Sequence, residues 1–205
     1  MQFFYQFPQR TERLGLISSG GLGHRVSPML RVAALPGVEG ALAVGAHPRV
    51  LRALRAAGQR LRARGYSKGV YVEAIARALR PLEQPGARTA FVQTLRSVID
   101  IHGQRVSALD RLYLLDRFPT LIVWGGRDRT IPLEHGRATA DAVPHARFEP
   151  LPKAAHFPHL EDPDGLAVVL RDWLETTEPA RIEDSDWGSV VGRRAPRSRI
   201  EVTVA

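Results

Sequence analysis

Short runs rich in apolar and β-branched residues occur at three places along the chain. Residues 14–19 are followed by a cluster of glycines, residues 119–125 begin with proline and end with glycine, and residues 146–151 form the third run. Runs of this length, bounded by turn-forming residues, are typical of strands in the interior of a sheet. The pattern therefore predicts three strands.

Apolar residues recur with helical spacing through most of the remaining chain. Residues 27–117 show this spacing, interrupted at proline and glycine, and helices are predicted there and over residues 133–143 and 163–176. A short helix that ends at Pro8 is also expected, because Phe3 and Phe7 lie on one side of it. The residues expected to face the core from helix 133–143 are Ala138, Ala142 and Val143.

The order of these elements predicts the fold class and the domain organisation. Strands that alternate with helices form parallel sheets with right-handed crossovers, so we expect an α/β protein with three parallel strands and flanking helices. Residues 1–26 and 109–180 are expected to form the core, and residues 27–108 a helical insertion. Residues 181–205 form a polar, basic tail that we expect to be largely disordered.

Composition narrows the class of protein. The 205 residues are 44% hydrophobic, which is enough for one domain with a sizeable core. There is no cysteine, so a disulfide framework, a thiolate metal site and a cysteine nucleophile are excluded. We find no apolar run that could span a membrane and no signal peptide at the start, so a cytoplasmic location without a membrane partner is expected.

The net charge of +8 raises the question of an acidic partner. Arginine supplies nearly all of the positive charge, because Lys68 and Lys153 are the only lysines. The arginines concentrate at 49–64, where they alternate with apolar positions, and at 193–199. Because this spacing is typical of a solvated helix face, a nucleic-acid partner is not expected. An arginine-rich binding module for an acidic partner stays open as the alternative function.

Two polar residues follow the second and third predicted strands. Asp128 comes after the strand 119–125 and a glycine turn, and His156 lies in the loop after the strand 146–151. Adjacent parallel strands deliver such residues to the same edge of a sheet, where α/β proteins bind their ligands. In hydrolases a histidine takes the proton of the nucleophile, and an acid orients the histidine and stabilises its charged form. Asp128 and His156 are therefore the candidate catalytic residues.

Two longer motifs carry a family resemblance. The segment PTLIVWGGRDRTIP resembles the acid-bearing strand and turn of the α/β-hydrolase superfamily, and LPKAAHFPHLEDP resembles its histidine loop. The acid precedes the histidine, as in that superfamily. The resemblance covers about residues 1–180 and looks closest to the esterases and carbon–carbon bond hydrolases. It implies a partial α/β-hydrolase fold in which residues 27–108 are an inserted helical cap.

The same resemblance implies a serine-type hydrolase acting on an ester, amide or carbon–carbon bond beside a carbonyl, with a small-molecule substrate. The family's nucleophile lies in a G-x-S-x-G elbow that comes before the strand matched here by residues 14–19, and the residues before that strand contain no such motif. We reject Ser18 and Ser19 as nucleophiles because they belong to the strand exit. The chain alone is therefore expected to be a truncated, inactive and aggregation-prone part of the enzyme. An aspartate nucleophile and a non-catalytic fragment remain alternatives.

The histidine loop departs from the family pattern at one point. The family often has Gly-x-Gly-His, whereas this chain has Lys153, Ala154 and Ala155 before His156, and alanine resists positive φ. We expect Glu161 to support this loop. The remaining histidines lack the spacing of metal ligands, so neither a metal nor a cofactor is expected. The sequence does not predict an oligomeric state.

Overall fold

Three parallel strands form the sheet in the computed structural model, which describes residues 1–66, 68–181 and 187. They are β1 (Leu14–Ile17), β2 (Thr120–Gly125) and β3 (Arg147–Leu151), in the order β1-β2-β3. Leu16 of β1 pairs with Ile122 of β2, and Val123 of β2 pairs with Glu149 of β3. The predicted α/β class with three parallel strands and flanking helices is confirmed.

The central strand β2 divides the core into two layers. All six of its residues are buried, because helices and loops cover both of its faces. Ile122 and Trp124 face the larger apolar cluster, which also contains Leu16 and Leu115. Leu121 and Val123 face the smaller cluster on the opposite side. This alternation follows from the period of two along a strand.

Five helices occupy the connection from β1 to β2, as the sequence predicts. We call residues 28–98 the helical segment. Its helices are α2 (Pro28–Ala33), α3 (Val38–Gly45), α4 (Pro48–Ala63), α5 (Lys68–Leu79) and α6 (Pro85–Val98). Helices α4 and α5 touch backbone to backbone, since a Cβ on Gly69 would lie 2.5 Å from the carbonyl oxygen of Gly58. Two glycines thus make this helix pair close-packed.

The prediction of helix throughout residues 27–117 is wrong at its end. After α6 the chain turns, and Ile99 and Gln104 form an isolated antiparallel bridge. The buried Gln104 side chain accepts a hydrogen bond from the Gly21 N–H at 2.6 Å and donates one to the Gly23 carbonyl at 2.7 Å. The turn is therefore fixed to the exit of β1, and a 3₁₀ helix (Leu109–Arg117) then leads into β2.

The flanking helices cover the two faces of the sheet. They are α1 (Gln2–Gln6), α7 (Leu133–Ala142), α8 (Pro158–Glu161) and α9 (Pro163–Thr176). The aromatic ring of Phe4 in α1 packs edge-on against Phe118, with ring centroids 4.7 Å apart. On the other side, Leu166 and Trp173 of α9 join the smaller apolar cluster.

Helix α7 presents a different face from the predicted one. Val143 is buried as expected, but Ala138 and Ala142 are exposed, and His135 and Thr139 are buried instead. The reason is a close approach at Gly136, where an added Cβ would lie 2.6 Å from the Trp124 ring. The helix rotates so that its one glycine, rather than its alanines, meets the largest side chain of β2.

Most of the predicted disordered tail, residues 181–205, lies outside the described residues. Of the part that is described, the ring of Trp187 packs against those of Phe4 and Phe118. Within the described residues, no helix combines the length and the apolar character needed to cross a membrane.

A candidate acid–base pair at the carboxyl edge of the sheet

The turn after β2 places Asp128 at the carboxyl edge of the sheet. The Asp128 N–H donates to the Gly125 carbonyl at 3.1 Å and closes the turn. The N–H groups of Gly126 and Arg127 donate to the carbonyls of Leu151 and Ala154, at 2.8 and 3.0 Å. Backbone hydrogen bonds therefore join this turn directly to the loop that follows β3.

Backbone donors hold the Asp128 carboxylate in one orientation. Its Oδ1 accepts hydrogen bonds from the N–H groups of Thr130 and Ile131, at 2.8 and 3.0 Å. The side chain is completely buried, which would be unfavourable for a carboxylate without such donors. The second oxygen, Oδ2, remains available to a side chain outside the turn.

That second oxygen meets His156. The distance from Asp128 Oδ2 to His156 Nδ1 is 2.9 Å, and the His156 side chain is 20% exposed. Because a carboxylate only accepts hydrogen bonds, Nδ1 carries the proton and donates it to this contact. Nε2 is then the ring nitrogen that can exchange a proton with a third group. The structure thus brings the two predicted site residues together.

Glycine at position 125 permits this close approach of the two loops. A Cβ on Gly125 would lie only 1.7 Å from the carbonyl oxygen of Ala155, the residue before His156. No other residue type could occupy this position without moving the backbone. The sequence suggests a glycine turn here, but it does not show that the glycine contacts the histidine loop.

Neighbouring residues fix the segment that carries the acid. The buried Trp124 donates from Nε1 to the Ile131 carbonyl at 3.1 Å. The Ser27 N–H donates to the Thr130 carbonyl at 2.8 Å, which ties the start of the helical segment to the same turn. Asp128 therefore lies in a segment that is hydrogen-bonded to β2 on one side and to the β1 exit region on the other.

Glu161 holds the histidine loop through a hydrogen bond to the loop's backbone. Its Oε2 accepts a hydrogen bond from the Ala155 N–H, and its Oε1 is buried without a partner among the described residues. The His156 ring also contacts Phe157, with centroids 5.1 Å apart. Among the described residues Ser18 is the only non-glycine with positive φ, so Ala154 and Ala155 are not strained by the missing glycines.

Two polar residues near this edge were not among the predicted site residues. His135 is buried, its Nδ1 has no partner among the described residues, and its ring lies 2.5 Å from where a Cβ on Gly23 would be. Burial, and secondarily the charge of Arg25, lower the pKa of His135 below its usual value. Ser18 directly follows β1 and has a φ of 43°, and its buried hydroxyl also has no hydrogen-bond partner among the described residues. Neither has a sequence signal beyond its position near glycines.

Comparison with known families decides the class to which this edge belongs. The family model described as "Alpha/beta hydrolase family" matches residues 15–169, a stretch that contains both Asp128 and His156. The chain belongs to the α/β-hydrolase family. Among the described residues of this α/β-hydrolase, no group of three or more histidine, aspartate or glutamate side chains could hold a metal ion.

Curated relatives match most or part of this chain and extend beyond it. An uncharacterized protein of Mycobacterium tuberculosis is 38% identical over 187 residues, which are 90% of this chain and 55% of the relative. A pimeloyl-[acyl-carrier protein] methyl ester esterase of Neisseria meningitidis is 31% identical over 91 residues, or 43% of this chain and 34% of the relative. This α/β-hydrolase chain thus spans about half the length of the mycobacterial relative.

Solved structures share the fold. A thermophilic esterase from Thermogutta terrifontis superposes with a TM-score of 0.59 and 21% identity, covering 84% of this chain and 59% of the esterase. A meta-cleavage product hydrolase from Pseudomonas fluorescens gives a TM-score of 0.58 and 16% identity, covering 85% and 59%. At these identities the likeness establishes the α/β-hydrolase fold alone.

Proposed function

We propose that Asp128 and His156 are the acid and the base of a catalytic triad that hydrolyses an ester, amide or carbon–carbon bond beside a carbonyl. The observation that carries this proposal is the 2.9 Å contact between Asp128 Oδ2 and His156 Nδ1. It leaves Nε2 of a partly exposed ring ready to accept a proton, while the buried carboxylate fixes the tautomer.

On an ester the chemistry runs in two stages. Nε2 of His156 takes the proton of the nucleophile's hydroxyl as that oxygen attacks the carbonyl carbon, and Nε2 returns the proton to the departing alcohol. A water then loses a proton to Nε2 and attacks the acyl group, which releases the acid and restores the nucleophile. Asp128 stabilises the imidazolium at each stage through Nδ1–H.

We propose that the nucleophile comes from outside the 205 residues, because their one G-x-S-x-G match, residues 65–69, lies at the junction of helices α4 and α5 and not between a strand and a helix as the family's elbow does. The outer edge of β1 offers a place for the strand that carries it. Backbone N–H groups of Leu14 and Ser18 pair with the carbonyls of Pro119 and Val123, so the polar groups of Gly15 and Ile17 point away from β2. We propose that the nucleophile-bearing strand pairs with this edge, and that the chain by itself is inactive.

We propose the helical segment as the cap that shapes the substrate pocket. Helix α5 contacts α8, which begins two residues after His156, so the segment reaches the histidine loop. An ester is the first substrate class to test, because the Neisseria relative is named as a methyl ester esterase and the Thermogutta neighbour as an esterase. An aspartate in place of the serine nucleophile is the alternative within this family.

The test compares two proteins. One is the 205-residue chain, and the other carries in addition whatever protein sequence the reading frame upstream of the Met1 codon encodes. Each is assayed with p-nitrophenyl butyrate and with a fluorophosphonate label. We expect the longer protein to hydrolyse the ester and to be labelled on a serine, and the shorter one to do neither. A label-resistant, active longer protein would point to the aspartate alternative.

Substitutions in the longer protein then test the pair itself. We expect His156→Ala to lower kcat by roughly 10⁶-fold and Asp128→Asn by roughly 10⁴-fold, as in the serine proteases. His159→Ala is the matched control, because His159 is an exposed histidine three residues further along. Full activity of His156→Ala would overturn the assignment of the base, and ester hydrolysis by the 205-residue chain would overturn that of an external nucleophile.

A further inference from the structure

A hollow with arginine side chains on its rim opens in the helical segment, away from the Asp128–His156 pair in sequence. It has a volume of about 200 Å³ and lies where α4 and α5 meet the 3₁₀ turn Arg80–Glu83. Its lining includes the buried Leu51 and Ala76. The charged residues around it are Arg52, Arg55, Arg80 and Glu83.

The charges around this hollow do not balance. Three guanidinium groups face one carboxylate, and within the described residues none of the three arginines forms an ion pair with an acidic side chain. Arg52 and Arg55 are three residues apart on α4, a spacing at which like charges repel each other. The excess of positive charge on the rim favours a bound anion.

The position along α4 strengthens this imbalance. Helices usually carry acidic residues in the first turn, where the helix dipole is positive. The first turn of α4 contains no acidic residue, and Arg52 lies just after it. Ion pairs do occur in the segment, as where Arg96 pairs with Glu39 at 2.9 Å. What sets Arg52, Arg55 and Arg80 apart is that they surround a hollow with a buried apolar floor.

We propose that this hollow is a binding site for a small organic anion, with a phosphate or carboxylate on Arg52, Arg55 and Arg80 and an apolar group on Leu51 and Ala76. Guanidinium groups bind both oxyanions through paired hydrogen bonds, which suits a rim of several arginines. The buried Leu51 and Ala76 supply an apolar floor, and the volume admits a ring-sized group. None of the described residues that line the hollow forms a hydrogen bond with Asp128 or His156.

Titration calorimetry tests the site with phenyl phosphate, inorganic phosphate and benzyl alcohol at constant ionic strength, on the 205-residue chain at a concentration where light scattering shows it to be monodisperse. We expect phenyl phosphate to bind one site with a Kd of about 1 mM or lower. Inorganic phosphate is expected to bind more weakly, and benzyl alcohol weakest of all. This order requires both the charged rim and the apolar floor.

Four substitutions locate the binding. Arg52→Gln and Arg80→Gln should each weaken phenyl phosphate binding by roughly tenfold, because each removes a charge-assisted hydrogen bond. Glu83→Gln should strengthen it by about threefold, since it removes the opposing carboxylate. Arg60→Gln is the matched control, an exposed α4 arginine outside the hollow, and should leave the affinity unchanged.

These results distinguish a specific anion-binding site from nonspecific attraction of anions to a basic surface. The four substituted side chains are all exposed, so each variant should keep the circular dichroism spectrum of the parent chain. Absence of saturable binding would overturn the proposal. So would equal weakening by Arg60→Gln, which would assign the effect to the basic face of α4 as a whole and to polyanions such as heparin.

Discussion

The carboxyl edge of the sheet and the helical segment are built in opposite ways. All six residues of β2 are buried, and the turns after β2 and β3 are joined by backbone hydrogen bonds. Helices α2 and α3, by contrast, bury no residue completely, and Val44 and Met29 are 69% and 61% exposed. The sheet edge is fixed by its backbone, whereas α2 and α3 of the helical segment are held by partial side-chain contacts.

The difference separates two requirements of a hydrolase site. A proton relay needs its groups held to within a few tenths of an ångström, which backbone hydrogen bonds and glycine contacts supply at the sheet edge. A substrate-covering segment needs to vary and to move, which is compatible with few buried contacts. Of the four predictions below, the first two compare substitutions matched between the two regions, and the last two test the sheet edge alone.

The largest expected effect lies at Gly125. Gly125→Ala places a methyl group 1.7 Å from the Ala155 carbonyl oxygen, so the two loops must separate. We expect the free energy of unfolding to fall by about 3 kcal/mol or more, measured by urea denaturation. Gly86→Ala in α6 meets no atom within 4 Å and should raise it by about 0.5 kcal/mol. Equal effects at both sites would remove the contrast between the regions.

Trp124 tests the same contrast with side chains. Trp124→Phe leaves a cavity in a fully buried site and removes the donor to the Ile131 carbonyl. We expect a loss of about 2–3 kcal/mol in urea denaturation. Phe91→Leu on the exposed side of α6 should change the value by less than about 0.5 kcal/mol. If the free energy of unfolding fell less for Trp124→Phe than for Phe91→Leu, the sheet edge would not be the more tightly packed of the two regions.

The regular elements and the Asp128–His156 contact could be predicted from the sequence because both follow from local patterns. Apolar runs bounded by glycine and proline located β1 and β2 to within two residues at either end. Strand order and the carboxyl-edge rule then placed Asp128 and His156 at one edge, where they lie 2.9 Å apart. This placement depends only on the order of the strands and on where each strand ends.

Features that depend on contacts between distant elements could not be predicted. The face of α7 was predicted wrongly because Gly136 approaches Trp124, a contact that helical periodicity does not contain. The turn at Gln104 breaks the predicted helix because its amide binds the glycine backbone of residues 21 and 23, more than 80 positions earlier. Apolar periodicity alone gives no information about such polar contacts.

The hydrogen bond from the Ala155 N–H to Glu161 is expected to limit the mobility of the histidine loop. Glu161→Ala leaves the Ala155 N–H without its acceptor. We expect the free energy of unfolding to fall by about 1–2 kcal/mol in urea denaturation. We also expect the downfield Nδ1–H proton resonance of His156 to broaden in the NMR spectrum. Glu161→Gln keeps an acceptor oxygen and should retain the resonance. A sharp, unshifted resonance in Glu161→Ala would show that the loop does not depend on this carboxylate.

The smallest effect concerns His135 and appears only on acidification. Burial lowers the pKa of His135 below the ordinary value of 6.5, while Glu134 and Asp128 act in the opposite direction and Arg25 reinforces the shift. Below about pH 6.5 the unfolded chain therefore binds a proton that the folded chain does not, so folding stability decreases as the pH falls through this range and is unaffected above it.

His135→Gln removes this titration. We expect the parent chain to lose more of its free energy of unfolding than the variant does as the pH falls from about 7.5 to about 5.5, measured by urea denaturation at each pH. His102→Gln, at an exposed histidine, should follow the parent. Because His135 lies against Gly23 and α7 begins just after the acid turn, the effect would tie the acid stability of the fold to the rigid sheet edge. The same pH dependence in His135→Gln would place its origin elsewhere.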